Sequence, residues 1–477
     1  MCFIKGKVLK KNEKRLCKNA KKILSLFLSF LFIFSCFSIN VRGAEARKVI
    51  LALGDSISAG YGLEDVKTEC FVNNILLQNG VVVNKAVSGN TAKDILNQIR
   101  NAENEKYVSL SQIQSADYVT ITCGGNDLMA LLYKRTAEVW NESNPNSQIL
   151  PNEVPLKMMN MHFGVLLTIM ELLNPDSELF LVKDEFFDNA LNEYFKNIGE
   201  ITSYINSVNL KAAIIVSTQY NPYTEFKGTN YDIVYRGMEA GVTKLNDAIK
   251  EKSKELGYIV SDVKNAFDLY DGDGDLYNAD IATTNLDFHP SAEGHKVLAE
   301  SFKKTFSEIV YVKYYVCHYY EALDGTFEEK KINYETVNGK KITAKENVLD
   351  GFSYMDSSEN EIKTLYVEEG SVFKLYYSRN TYKVGWHTSD DIIFETYKYG
   401  EKIKEPTPKR KGYVFRAWDK ELVEYMPAKD ITFVAMWDKK SNTWIVLVVL
   451  GIVVAAGAIV YIIHLKESDG EKRKKTN

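Results

Sequence analysis

Between Lys48 and about Ile309, short apolar runs alternate with stretches of helical period, and that alternation leaves few folds open. The runs Val49 to Leu53, Val81 to Val87, Tyr118 to Thr122, Ala212 to Ser217 and Tyr258 to Ser261 have strand length and are rich in β-branched residues. Helical periods lie between them, at Cys70 to Gln78, Ala92 to Arg100 and Val234 to Leu256, and a last one covers Ser291 to Phe306. Strands joined by helical crossovers run parallel, and a parallel sheet needs both faces covered. The expected class is therefore α/β with a mostly parallel sheet. Ligands in such sheets bind at the carboxyl ends of the strands. The first strand reaches that edge at Gly54-Asp55-Ser56, where two good helix N-cap residues mark a strand-to-helix turn.

Three more short blocks follow in order: Ser88-Gly89-Asn90-Thr91, then Gly124-Gly125-Asn126-Asp127, then Asp287-Phe288-His289-Pro290. Gly-Asp-Ser alone is a common capped turn, but with these three blocks in this order the region 47–310 resembles the SGNH/GDSL hydrolases, a large family of serine esterases and lipases. The resemblance implies a three-layer, flavodoxin-like fold. It also implies Ser56 as nucleophile and His289 as general base, with oxyanion donors from the backbone N–H groups of Ser56 and Gly89 and the side-chain amide of Asn126.

The chemistry fits those residue types. Acyl transfer from an ester needs a nucleophile, a base for its proton and donors for the tetrahedral oxyanion, and an imidazole is the side chain best suited to move that proton at neutral pH. His289 lies in a loop before Pro290, whereas His162 and His295 sit in helical segments, His318 and His387 in strand-like ones and His464 at the end of an apolar run. The third triad member departs from the family's usual pattern. The acid commonly stands three residues before the histidine, which here is Leu286, and the aspartate is Asp287, two before it. In an extended loop a one-residue shift turns a side chain to the other face. Asp287 is the nearest acid in sequence and the expected one; Asp262 after the fifth strand, or a Ser-His dyad held by a backbone carbonyl, remain open. No phosphate-loop spacing and no paired His/Cys cluster is present, so no cofactor and no metal is implied. The acidic stretch Asp271 to Asp280 has calcium-loop spacing at Asp271, Asp273 and Asp275, but Leu276 and Ala282 stand where glycine and an acid are needed, and it reads as a solvated turn.

Both ends of the chain are written for a membrane. Residues 1–46 are basic up to Lys22, apolar from Ile23 to Ile39, and close on small residues at Gly43, Ala44 and Ala46, the layout of a secretory signal peptide. An uncleaved anchor and a lipoprotein box at Ile33 to Cys36 are the alternatives. Near the other end, residues 443–464 contain an uncharged run from Trp444 to Ile463, long enough to span a bilayer, and the tail 465–477 carries Lys466 and Lys472 to Lys475. The positive-inside rule puts that tail in the cytoplasm and the remainder outside. Because both ends are net basic, the overall charge of −4 conceals a more acidic middle, which argues against nucleic acid as a partner. Outside the signal region only Cys70, Cys123 and Cys317 remain, an odd number that does not suggest a disulfide framework.

Past Val310 the texture turns tyrosine-rich and strand-like, at Tyr311 to Tyr320, Thr364 to Val367, Val372 to Tyr377, Tyr382 to Trp386 and Ile431 to Met436. From Val316-Cys317-His318-Tyr319-Tyr320 to Lys374 through Tyr382, the stretch 311–380 resembles a mucin-binding-protein (MucBP) domain. Residues 381–438, with Pro406-Thr407-Pro408, Gly412-Tyr413-Val414-Phe415, Trp418 and Ala435-Met436-Trp437, look like an internalin-type B repeat, a β-grasp-like module. Both resemblances imply small modules of bacterial surface proteins that act as spacers, or else bind a surface glycan or protein. The long interval Leu128 to Leu210 exceeds what a crossover needs and is expected either to cap the site or to pack elsewhere as a helical hairpin. The functional expectation is a membrane-tethered extracellular esterase acting on short acyl or O-acetyl esters. The competing one is a surface adhesin that carries an inactive hydrolase scaffold.

Overall fold

The strand runs form a five-stranded sheet of order β2-β1-β3-β4-β5, parallel throughout, in a computed structural model that describes residues 47–75, 80–101, 107–279, 287–356, 361–388 and 391–474. Its strands are β1 (Val49–Gly54), β2 (Val81–Asn84), β3 (Tyr118–Thr122), β4 (Ala213–Ser217) and β5 (Ile259–Ser261). Side chains alternate across a strand, and β1 uses both faces. Leu51 and Leu53 join a core with Ile95, Ile99, Ile198 and Leu245, while Ile50 and Ala52 join one with Phe71, Leu298 and Phe302. That is the three-layer α/β arrangement. The helices that matter below are α1 (Ser56–Ala59), α2 (Ala92–Arg100), α3 (Gly125–Ser143), α4 (Val154–Met159), α5 (Phe163–Leu173), α6 (Glu185–Val208), α7 (Asp232–Leu256) and α8 (Ala292–Glu308).

Local chemistry explains several boundaries. Thr91 and Asp94 form a capping box that starts α2 at the expected residue, and Ser291 caps α8 through the N–H groups of Glu293 and Gly294. β2 ends at Asn84, short of the expected Val87, because the Asn84 amide donates to Ser58 O at 2.7 Å and its oxygen accepts from Ala86 N at 3.0 Å. The chain still follows β1 there, with Lys85 N to Ala52 O at 2.8 Å and Val87 N to Gly54 O at 3.0 Å. The helix expected over Cys70 to Gln78 is described only as a short turn of helix at Phe71–Asn74, and residues 76–79 lie outside the described set. The expected signal segment, residues 1–46, also lies outside it.

The interval after β3 is helical. α3 and α6 pack into the sheet's core, and α6 leads into β4. α4 and α5 form an extra hairpin bent by 111° that buries Val154, Val165, Ile169 and Leu172. Gly164, at the start of α5, lies so close to Trp140 of α3 that an added Cβ would sit 2.5 Å from the indole.

The chain divides into two compact units, the second made of residues 312–335 and 341–477. Its strands are β6 (Tyr311–Glu321), β7 (Phe327–Val337), β8 (Lys341–Thr343), β9 (Phe352–Tyr354), β10 (Thr364–Tyr366), β11 (Val372–Arg379), β12 (Thr381–His387), β13 (Ile392–Lys398), β14 (Tyr413–Trp418) and β15 (Ile431–Lys439). They form one sheet of order β7-β6-β11-β9, another of order β13-β12-β15-β14 and a β8-β10 ladder. Trp386, Trp418 and Phe433 centre the core of the β12 to β15 sheet, and both indole N–H groups are satisfied, by Glu395 and Glu405 at 2.9 Å each. The final helix α9 (Thr443–Lys474) contains one stretch, Thr443–Glu467, long and apolar enough to cross a membrane.

Candidate active site

The first strand delivers Ser56 through a turn that tolerates only glycine at its hinge. Gly54 has φ of 151°, and a Cβ there would lie 2.2 Å from Thr122 Oγ1 on β3. Asp55 then caps α1: its Oδ1 accepts from Ile57 N at 3.0 Å and from Thr122 Oγ1 at 3.2 Å, and Ser58 Oγ meets Thr122 Oγ1 at 2.7 Å. Ser56 is the first residue of that helix and is buried. Burial pushes the Asp55 carboxyl up to about 7 against the lowering effect of those hydrogen bonds.

The second and third blocks are tied to one another. Asn90 N bonds to Val87 O at 3.1 Å, and the turn so closed holds Gly89 at φ of 86°. An added Cβ there would meet nothing within 4 Å, so backbone conformation rather than crowding selects the glycine. The Asn126 amide donates to Asn90 O at 3.0 Å, and the Asp127 carboxylate accepts from Ala92 N at 3.2 Å. Burial raises the Asp127 carboxyl to about 6.

The fourth block lies in a loop pinned at several points. His289 O accepts from Asn278 N at 2.9 Å, Ser291 N reaches Leu276 O at 3.0 Å, and Phe288 O accepts from the Tyr220 hydroxyl at 2.9 Å. The His289 ring packs against Tyr61 and Phe288, with ring centroids 4.5 Å away in each case. Asp287 Oδ1 stands 2.5 Å from His289 Nδ1 and also accepts the His289 backbone N–H at 3.1 Å. Asp262 is engaged elsewhere, with Lys250 at 2.7 Å and Thr218 Oγ1 at 3.1 Å.

Ser56, Asn126 and Phe288 line one cleft with Gln219, Tyr220 and Tyr223, a cavity of about 60 Å³. Gly89, Asp287 and His289 do not line it directly, and Ser56 and His289 share no direct hydrogen bond among the described residues. His295 is a core residue. It is fully buried, its Nδ1 accepts from Phe71 N at 3.3 Å, and burial, with a smaller contribution from His289, pushes it down to about 4. Among the described residues no group of three or more His, Cys, Asp or Glu could hold a metal ion.

Sequence reasoning did not single out Gln219, Tyr220 or Tyr61. Gln219 is clamped by reciprocal 2.7 Å bonds with Asn246, and Tyr220 stacks on Phe267 while holding the histidine loop. The available signal was position, since Gln219 and Tyr220 follow β4 at the sheet edge where ligands bind.

Residues 52–297 match the profile of the GDSL-like Lipase/Acylhydrolase family. The chain belongs to that family. Membership makes the first unit a hydrolase domain of esterase/lipase type. The uncharacterized protein YpmR of Bacillus subtilis (strain 168) is 24% identical over 297 residues, covering 58% of this chain and 93% of that one. Among solved structures, the chain is similar to the lipase Lip_vut3 from a goat rumen metagenome (19% identical, 54% of this chain and 97% of that one, TM-score 0.33). An extracellular lipase from Streptomyces rimosus is 17% identical over 54% of this chain and 99% of its own, with a TM-score of 0.34. The acetylxylan esterase Axe2 from Geobacillus stearothermophilus is 18% identical over 54% and 93%, with a TM-score of 0.29.

Proposed function

We propose that the protein is a membrane-tethered extracellular serine hydrolase of carboxylic esters, with Ser56 as nucleophile, His289 as general base and Asp287 as the acid that orients it. The observation that carries the reading is the 2.5 Å contact between His289 Nδ1 and Asp287 Oδ1, in a loop whose Phe288 lines the same cleft as Ser56 and Asn126. An acid at Nδ1 sets the tautomer that leaves Nε2 free to accept a proton. Apo sites often hold the nucleophile and base apart until substrate closes the gap.

Ser56 Oγ attacks the ester carbonyl carbon while its proton passes to His289 Nε2, and Asp287 balances the imidazolium. The carbonyl oxygen, now an oxyanion, takes hydrogen bonds from the backbone N–H of Ser56 and Gly89 and from the Asn126 amide. An amide nitrogen has two N–H bonds, and Asn126 commits one to Asn90 O at 3.0 Å, which orients the other. Collapse expels the alcohol, which takes the proton from His289; water then repeats the sequence on the acyl-serine and regenerates the enzyme. Short acyl and O-acetyl groups suit both a cell-surface position and the small cleft beside Ser56.

In this reading residues 1–46 are a signal peptide, 443–464 is a single-pass anchor, and the 311–380 (MucBP-like) and 381–438 (internalin-type B) modules are spacers that hold the hydrolase away from the bilayer. The test is labelling of the full-length protein in membranes by a fluorophosphonate, with Ser56→Ala as control. Folded wild type that takes no label removes the enzyme reading.

A further inference from the structure

Asn126 is the second residue of α3, so its position depends on how the chain leaves β3 through Cys123 and Gly124. That exit is tight. Gly124 has φ of 121°, and a Cβ there would lie 2.9 Å from Leu245 Cδ2 of α7, with Tyr194 Cε2 and Gln219 Cγ at 3.5 and 3.6 Å. Rotating the Cys123–Gly124 peptide changes that φ. Because Gly124 O accepts from Leu128 N at 3.0 Å in the first turn of α3, the rotation is passed on to Asn126.

Two side chains hold this peptide by its oxygen. Gln219 Nε2 donates to Cys123 O at 2.9 Å, and the Tyr194 hydroxyl donates to it at 3.4 Å. A carbonyl oxygen only accepts, so the nitrogen of the Gln219 amide is the atom that faces Cys123. A free glutamine side chain would lose much rotamer freedom in such a bond and hold it loosely. Gln219 is not free: Asn246, buried on α7, accepts from Gln219 N and donates to Gln219 O, both at 2.7 Å, and so fixes the backbone from which the amide reaches. The bonded chain Asn246–Gln219–Cys123 thus runs along the wall of the Ser56 cleft to the turn that carries Asn126.

We propose that Gln219 is a positioning residue for the oxyanion hole: through Cys123 O it sets the Gly124 turn, and the turn aims the Asn126 amide, whose other anchor is Asn90 O at 3.0 Å. The proposal rests on the reading of Asn126 as an oxyanion donor and names the residues that aim it. A misplacement of about 1 Å can cost about 10² in rate, and outright loss of an oxyanion donor costs about 10² to 10³. Removing the Gln219 donor should therefore lower kcat by about ten- to hundredfold with little change in KM, since the hole acts on the transition state.

The test uses full-length protein in amphipol and a soluble aryl ester. Gln219→Met keeps the length of the side chain and removes the donor; Gln219→Leu is read the same way should the methionine variant not fold. In an Asn126→Ala background the same substitution should cost less than about threefold, because the group it aims is gone. A residue that only stabilised the fold, or that itself bound substrate, would cost as much in both backgrounds. Additive losses, or an effect confined to KM, overturn the proposal. A second readout needs no turnover: crystals of Ser56→Ala protein with and without Gln219→Met should differ by more than about 0.5 Å in the position of Asn126 Nδ2. An unmoved Asn126 overturns the proposal. A displaced Asn126, in a protein whose Ser56 wild type hydrolyses no ester and takes no fluorophosphonate, would sink the Ser56 reading and keep Gln219 as the residue that positions Asn126.

Discussion

The contact between Asp287 and His289 allows the contribution of the acid to be divided into charge and orientation. One carboxylate oxygen, Oδ1, both accepts the His289 backbone N–H at 3.1 Å and stands 2.5 Å from Nδ1. In Asp287→Asn the amide oxygen can keep both places, because the backbone N–H selects an acceptor there. The imidazole then keeps its orientation and tautomer and loses only the charge opposite it. Asp287's side chain is 31% exposed, so water screens the pair. With charge centres ~4 Å apart, an effective dielectric between about 20 and 80 makes the charge worth about 1 to 4 kcal/mol, or roughly 5 to 10³ in kcat. Asp287→Asn should therefore cost about 10², whereas Asp287→Ala, which removes orientation as well, should approach the roughly 10⁴ typical of a serine triad. The assay is kcat on a soluble aryl ester at fixed pH, with His289→Ala as the inactive reference and Asp262→Asn as a control expected to change kcat less than about threefold, because Asp262 bonds to Lys250 and Thr218 instead. Losses below about tenfold in both Asp287 variants, beside an inactive His289→Ala, would refute the assignment. An asparagine as damaging as alanine would refute the division into charge and orientation.

Asn126→Ala should lower kcat by about 10² to 10³ with little change in KM, the usual cost of one oxyanion donor, and an effect confined to KM would reduce Asn126 to a binding residue. The buried Asp55 and Asp127 carboxyls, raised to about 7 and about 6, favour the protonated folded state, so their stabilisation is complete below the ordinary carboxylate range and is lost as pH rises through about 4 to 7. Thermal melts should accordingly show a lower Tm at pH 8 than at pH 5, and Asp55→Asn, whose amide oxygen can still accept from Ile57 N and Thr122, should shrink that difference. Protease added to intact cells should release a fragment from about residue 47 to about residue 440 and leave the tail protected; a tail cleaved from outside would reverse the orientation.

Legibility followed the range of the forces involved. The five parallel strands were readable because each is a short apolar run, with β1, β3 and β4 buried on both faces, and α2 because its capping box is local. Phe327–Val337 was not expected as a strand, since FEEKKINYETV carries too many charges; it pairs only with β6, at a sheet edge, where charged side chains are tolerated and deter further pairing. The one-residue displacement of Asp287 looked unfavourable in an extended frame. The chain bends at His289, and Asp287 Oδ1 bonds to both the backbone N–H and the ring of His289.

The sequence by itself determined the fold class and the family, because strand runs, caps and short motif blocks are written in neighbouring residues. Only the tertiary structure decided what surrounds them. The bonds from Asn126 to Asn90 and from Tyr220 to Phe288, and the apolar space walled by residues from Met129 to Met238, join side chains that no sequence period relates. They meet because parallel crossovers bring the carboxyl ends of separate strands to one edge, and because α4 and α5 must bury their apolar faces against the nearest uncovered surface, that of α3 and α7.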